Sequence, residues 1–325
     1  MTTTRPRWPA RAAVAGVALA LVAALAVAAA MWAGSEPAHR ATAAEPFAPD
    51  SPFRTPVPAD ARVDPASDLV TAHLTGEGRV YAGLVEFGIP VYTVTADTPR
   101  YRVQCLRTQW GPCPFDGVDT PIPDGARPHT GSDGAMVLVD EAAQLSYEFW
   151  QAVRTVPGWV TSFGAITPLA GSGWGGAATG AGASRLAGVV RVAEIKSGEI
   201  GHALVLQSDN TCARMYRAPA IKTDGRSDRP DCVPQGSRLR LDPALDLDAL
   251  GLPAAHLAVA RAMQRYGGYV VDRGGSPLSI SFELAPDADG IYPGAVYRQA
   301  GLDWDYDGLE QIPWDRLQLL EGETR

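Results

Sequence analysis

From residue 88 onward, short apolar runs recur along the chain, separated by Gly, Pro and Asp, and most alternate at the two-residue period of a β-strand. Residues 135–140, a short polar turn and residues 145–153 predict a hairpin. In its second strand Leu145, Tyr147 and Phe149 fall on one face, and Ser146, Glu148 and Trp150 on the other. Residues 88–95, 100–106, 158–163, 202–207, 238–241, 268–272, 278–283 and 316–320 read as further strands. Helical spacing is scarce. Residues 184–195 put Leu186, Val189 and Val190 on one stripe. Residues 253–266 open on Pro253 and stop at Gly267 and Gly268, as helix ends prefer. The pattern predicts a mainly β protein, an antiparallel β-sandwich of the jelly-roll or concanavalin-like kind with one or two short packed helices. The strand–helix alternation of a doubly wound parallel sheet is missing.

Two N-terminal segments depart from this pattern. Arg5, Arg7 and Arg11 precede an uncharged run over residues 12–33, and Ala41-Thr42-Ala43 offers a small-residue cleavage site. A signal peptide over residues 1–43, removed on export, is the favoured reading. The alternative is a retained single-pass anchor, since a run of that length can cross a bilayer, although alanine dominates it and only Leu19, Leu21 and Leu25 are leucines. Residues 44–65, rich in Pro, Ala and Asp, read as a linker, which leaves residues 66–325 as one β-sandwich domain.

Charge and cysteine usage agree with a secreted or cell-surface location. Residues 1–43 carry Arg5, Arg7, Arg11, Arg40 and Glu36, so cleavage takes the formal charge from −8 to −11. Such an acidic surface excludes a nucleic-acid partner, which requires basic stripes, and leaves membrane contact to the N-terminal segment alone. The four cysteines of an exported chain read as disulfides. Three pairings exist; Cys105–Cys113 and Cys212–Cys232 are favoured because each pair brackets a loop rich in Gly, Pro and Asp. No C-x-x-C or histidine cluster supports zinc.

The glycine-dense stretch Gly171-Ser-Gly-Trp-Gly-Gly176, continuing to Ser184, matches the G-x-G-x-x-G fingerprint by letter. A dinucleotide loop must leave a strand and open directly into a helix, and Pro168, Gly180 and Gly182 stand against that. Two uses remain: a bend whose glycines let two sheet layers touch, or a substrate groove floored by backbone, with Trp174 as a stacking platform for sugar faces.

Candidate chemistry is dispersed. His202, at a strand start, is a candidate base or a half-buried histidine bonded to a backbone carbonyl. Glu148 and Asp140, on one predicted hairpin, are candidate acid and base of a glycoside hydrolase or lyase. Trp150 is a second candidate sugar contact, and Lys222 and Asp224 sit in a polar loop suited to a binding edge. Glu194 and Glu199 are expected to face water. Asp303, Asp305 and Asp307 start a D-x-D-x-D-G calcium pattern, but Trp314 stands where the bidentate glutamate belongs, so a partial Ca²⁺ site is the most that pattern supports; no other cofactor is expected. G-x-S-x-G and H-E-x-x-H do not occur.

The strings DGAMVLVD, YEFWQA, ATGAGASRLAGVVRVAEIKSGEIGHALVL, KTDGRSDRPDCVPQGSRLRLDP and MQRYGGYVVDRGG resemble a group of exported bacterial proteins, common in actinobacteria, over about residues 52–320. The resemblance implies a β-sandwich of the concanavalin or jelly-roll kind and, by fold analogy alone, carbohydrate work. Relatives often carry Asp before the His of the HAL segment; here that position is Gly201, so no His–Asp neighbour is expected at His202. The chain is thus expected to act on, or bind, an extracellular polysaccharide or cell-wall glycan, with catalysis left open. The alternative is a non-catalytic cell-envelope module held by its N-terminal segment.

Overall fold

The central hairpin forms where alternation places it. In the computed structural model, which describes residues 40–176 and 178–325, two sheets carry the fold. Their strands, numbered along the chain, are β1 (Tyr81–Gly83), β2 (Val91–Thr93), β3 (Met136–Asp140), β4 (Leu145–Trp150), β5 (Phe163–Pro168), β6 (Leu204–Ser208), β7 (Arg238–Leu241), β8 (Gly268–Arg273), β9 (Ser279–Ser281), β10 (Tyr306–Asp307) and β11 (Leu317–Leu319). One sheet has seven strands in the order β10-β1-β9-β6-β8-β7-β11, the other four in the order β5-β4-β3-β2. Smaller ribbons flank them, among them Val103–Cys105 paired with Trp159–Thr161. The signal or anchor segment expected over residues 1–43 falls, except for its last four residues, outside the described part of the chain. Among the described residues no helix is long and apolar enough to cross a membrane.

Alternation along each strand sorts the core into layers. Val205, Tyr269 and Val271 of the seven-stranded sheet face Val137 and Val139 of the four-stranded sheet. Leu204, Leu206 and Val270 point the other way, onto helix α3 (Ala254–Arg265). Met136, Leu138, Tyr147 and Phe149 line the outer side of the small sheet with Phe115 and Trp159. The β-sandwich is therefore present, with helices on one outer face. Its sheets are mixed, however: among the described residues five strand pairings run parallel, including β6–β8 and β2–β3. Alternating polarity reports burial on one face and is blind to strand direction.

Helix content also differs from the pattern. Helix α1 (Ser67–Thr75) and α4 (Ala295–Gln299) were not expected, and α2 covers only Val192–Ser197, starting later than the stripe predicts. The preceding residues spend their N–H groups elsewhere: Arg185 N donates to Glu148, Leu186 N to Ser184 Oγ, and Val190 N to Ser281 O. Helix α3 matches its prediction, with Pro253 at its N-cap.

The segment read as a linker is packed. Phe47 and Phe53 are buried at 1 % exposure, and Phe53 stacks on Trp174 at 5.2 Å. Ala41–Arg325 form one compact unit. Pro/Ala-rich composition suggests a flexible chain, but two buried phenylalanines, each worth about 1.5–3 kcal/mol, are enough to dock the arm. Both expected disulfide pairings form, Cys105–Cys113 and Cys212–Cys232, with Cα separations of 5.6 and 5.1 Å.

Candidate polar site around Arg185 and Asp272

Hairpin register decides the fate of the paired carboxylates. Glu148 lies opposite Val137 and Asp140 opposite Leu145, so the two side chains leave opposite faces of the sheet. Asp140 accepts the Ala143 N–H at 2.8 Å, closing the turn. Glu148 points between the sheets and is fully buried. It accepts hydrogen bonds from Ser146 Oγ (2.7 Å), Ser184 Oγ and the Arg185 N–H (2.8 Å). Burial pushes its carboxyl pKa up, against the pull of those donors. Glu148 thus ties the end of the glycine-rich bend to β4 and fixes where Arg185 begins.

From that anchor the Arg185 guanidinium reaches three acceptors. Nη1 lies 3.3 Å from Asp272 Oδ2 and 3.9 Å from Asp133 Oδ2, and Nη2 donates to Ala178 O at 2.6 Å. Asp272 owes its position to a bulge: Leu206 pairs with Val270 but Gln207 with Asp272, so Val271 is an extra residue in β8. Without it, strict alternation would send Asp272 to the α3 side with Val270; the insertion re-aims it toward the bend. There its Oδ1 accepts the Gly180 N–H at 2.5 Å. Burial raises its pKa to about 7, partly opposed by Arg185 and assisted by Asp224. Its side chain is 15 % exposed.

Gly180 has a steric reason to be glycine. A Cβ there would stand 2.3 Å from Asp224 Oδ1 and 2.9 Å from Asp272 Oδ1. The bend therefore serves close approach, and the letters of the dinucleotide fingerprint have no further meaning here. Asp224 is braced by Gln235, which donates to its Oδ1 and accepts its N–H at 3.1 Å. Lys222 is close enough for Asp272 and Asp224 to act on it; burial lowers its pKa and the two carboxylates oppose that.

On the opposite side, Trp150 Nε1 donates to Asp133 Oδ1 at 3.0 Å. Its ring lies 5.3 Å from Trp110, which is 53 % exposed and sits in the Cys105–Cys113 loop. His129, 4 % exposed, completes the cluster. Burial, then the Arg185 charge, lowers its pKa to about 4, so it is neutral at pH 7.

Four residues singled out in the sequence, Glu148, Trp150, Lys222 and Asp224, therefore meet around Arg185 and Asp272. The others lie elsewhere. Trp174 is stacked on Phe53 and edge-on to Tyr269 at 5.5 Å, so it is half-buried against the inter-sheet core. His202 Nδ1 bonds Ala203 O at 3.0 Å and Nε2 bonds Glu194 Oε2 at 3.1 Å. Burial alone would lower its pKa, but Glu194 outweighs burial and raises it. Both ring nitrogens are engaged by oxygen atoms, so His202 is tied to its own strand and to Glu194, which faces it instead of water. The pair borders a cavity of about 400 Å³ under the N-terminal arm. Of the three aspartates, Asp305 accepts the Val85 and Glu86 N–H groups (2.6 and 3.0 Å), Asp307 accepts the Leu309 N–H (3.1 Å), and Asp303 is exposed near Arg298. Among the described residues no group of three or more His, Cys, Asp or Glu side chains is arranged to hold a metal.

Comparison with protein-family models, with curated proteins and with solved structures found no match for this chain.

Arg185, Asp272, Asp133 and His129 carry the cluster and were not among the sequence candidates. Arg185 is the one cation inside residues 171–190, and Asp272 ends an apolar strand before Arg-Gly-Gly; a charge interrupting an apolar or glycine-rich run is the signal that points to them. Asp133 and His129 carry no such signal.

Proposed function

We propose that the protein binds an extracellular polysaccharide at the Arg185–Asp272 cluster and cleaves it by acid–base chemistry. The observation that carries this reading is Asp272, a carboxyl with its pKa at about 7, facing a second carboxylate across one guanidinium. A carboxylic acid that keeps its proton near neutral pH can pass it to a glycosidic oxygen as the bond to the anomeric carbon breaks. Asp133 is half exposed and oriented by Trp150; it would activate the incoming water or stabilise positive charge at the anomeric carbon. Both carboxylates touch Arg185 Nη1, so their oxygens lie closer than the upper limit, about 9.5 Å, for carboxyl pairs flanking a scissile glycosidic bond. Trp110 and Trp150 offer apolar faces for sugar C–H groups. The two disulfides fit an oxidising, extracytoplasmic environment.

The test is a polysaccharide screen read by new reducing ends and by binding. Turnover should appear on at least one polysaccharide and fall about 10²- to 10⁴-fold in Asp272→Asn, while Trp150→Ala should raise KM with a smaller change in kcat. No binding and no turnover on any glycan would overturn the proposal. Binding with no turnover, indifferent to Asp272→Asn, would favour the non-catalytic envelope module.

A further inference from the structure

A second polar site lies at the other end of β8. A cavity of about 350 Å³ opens between residues 58–62, the turn at Arg217–Pro219, and residues 236–238. Two of its lining groups carry a buried donor with no hydrogen-bond partner, and a third is a cation held only by carbonyls and an aromatic ring. Ser237 is 1 % exposed and its Oγ has no hydrogen-bond partner. Arg217 is 9 % exposed; its Nη2 bonds Asp64 at 2.6 Å and its Nη1 bonds Leu320 O at 3.0 Å, but its Nε has no partner. Arg238 lies over the Tyr269 ring at 5.1 Å and gives its hydrogens to the Tyr266 and Thr55 carbonyls. No carboxylate pairs with it among the described residues, and burial lowers its pKa.

A half-buried guanidinium without a counter-ion and two orphaned buried donors are each costly, because water was surrendered and neither an opposite charge nor a full set of acceptors replaced it. Guanidinium N–H groups only donate, and a hydroxyl can donate as well, so one acceptor-rich anion would relieve all three. We propose that this cavity binds a small oxyanion, a carboxylate, sulfate or phosphate group, through Arg217, Ser237 and Arg238. The volume is at the low end of ligand sites, about 300–1,000 Å³, which suits an inorganic anion or a sugar acid. Rim carboxylates, Asp60 and Glu321, oppose a bulkier polyanion, although Glu321 is already held by Arg62 at 2.6 Å. The inference is independent of the Asp272 chemistry and stands if that chemistry fails.

Isothermal calorimetry of the full chain at pH 7 and fixed ionic strength, with sulfate, phosphate and glucuronate titrated against a chloride control, tests it. Thermal unfolding serves as a second readout. At least one oxyanion should bind saturably, and Ser237→Ala should weaken it about tenfold through the loss of one hydrogen bond to a charged group. Saturation by sulfate or phosphate alone would identify a free-anion site; tighter glucuronate binding would identify the acidic group of a sugar. Sulfate stabilises most proteins by exclusion from their surface, so a rise in Tm that does not saturate, or is undiminished in Ser237→Ala, counts against the site. If Ser237→Ala does not fold, Arg238→Lys keeps the charge, loses the fork, and should weaken binding likewise. No saturable binding of any of the three anions, or full affinity in the folded variant, would overturn the proposal.

Discussion

Asp272 and His129 sit close to the same guanidinium, and their pKa values are displaced in opposite directions. The folded Asp272 carboxyl keeps its proton up to about 7, against 3.8 for an unperturbed group. Between those values the folded state binds more protons than the unfolded one, so this residue makes stability fall as pH rises from about 4 to 7. His129 has its folded pKa lowered from 6.5 to about 4. In that window the unfolded state binds more protons, so His129 makes stability rise with pH. Each effect is on the order of 3 kcal/mol, and they largely cancel. Single substitutions should separate them. Relative to wild type, Asp272→Asn should gain stability steadily from pH 4 to 7, whereas His129→Gln should be relatively most stable at pH 4 and lose that advantage by pH 6.5. Urea unfolding at four or five pH values reads both slopes; parallel profiles for all three proteins would contradict the assignment. Glu148 has a different role at this scale. Three donors converge on a carboxylate that is 0 % exposed, so Glu148→Ala should cost about 2–4 kcal/mol and release Arg185 from its place. Circular dichroism melts should show that loss, and a Tm unchanged within about 1 °C would exclude the clamp.

Among the elements, the Cys105–Cys113 loop presents the exposed Trp110 ring to the cluster. It holds Trp110 against Trp150 and, edge-on, against Phe163 at 5.7 Å. Replacing both cysteines by serine should lower stability by about 2–3 kcal/mol, as expected for a short closed loop, and should weaken glycan binding beyond what the stability loss explains. Equal affinity in the reduced-loop variant would remove Trp110 from the site. The hairpin that carries Glu148 and Trp150 was legible in the sequence because β4 alternates and β3 is a short apolar run joined to it by a polar turn; β3 puts one face on the inter-sheet core and the other on the outer cluster. Placing Asp140 and Glu148 together was not justified, since sharing a face across a hairpin needs an even offset in register, and Asp140 stands three places from Val137, the partner of Glu148. Asp272 was hidden for a related reason. A bulge adds one residue without any composition signal in Tyr-Val-Val-Asp, yet it decides which side of the sheet the carboxylate faces.

The whole molecule shows which features survive translation from pattern to fold. The β-sandwich and both disulfide loops follow from periodicity and cysteine spacing. The parallel pairings do not, because β6 and β8 are joined through long excursions that only tertiary packing brings back side by side. Composition misjudged the N-terminal arm, where two phenylalanines outweigh the surrounding Pro and Ala. It also hid the clustering of charge: an acidic chain places Arg185 beneath one group of carboxylates and Arg217 and Arg238 in a separate cavity. The central claim concerns the first of these, a carboxylic acid kept protonated near neutral pH by burial beside Arg185. The most direct measurement is an NMR titration of the side-chain carboxyl carbons, with the Asp272 resonance assigned from its loss in Asp272→Asn. A midpoint near pH 7 is the expected result, and a midpoint near 4 would contradict the account.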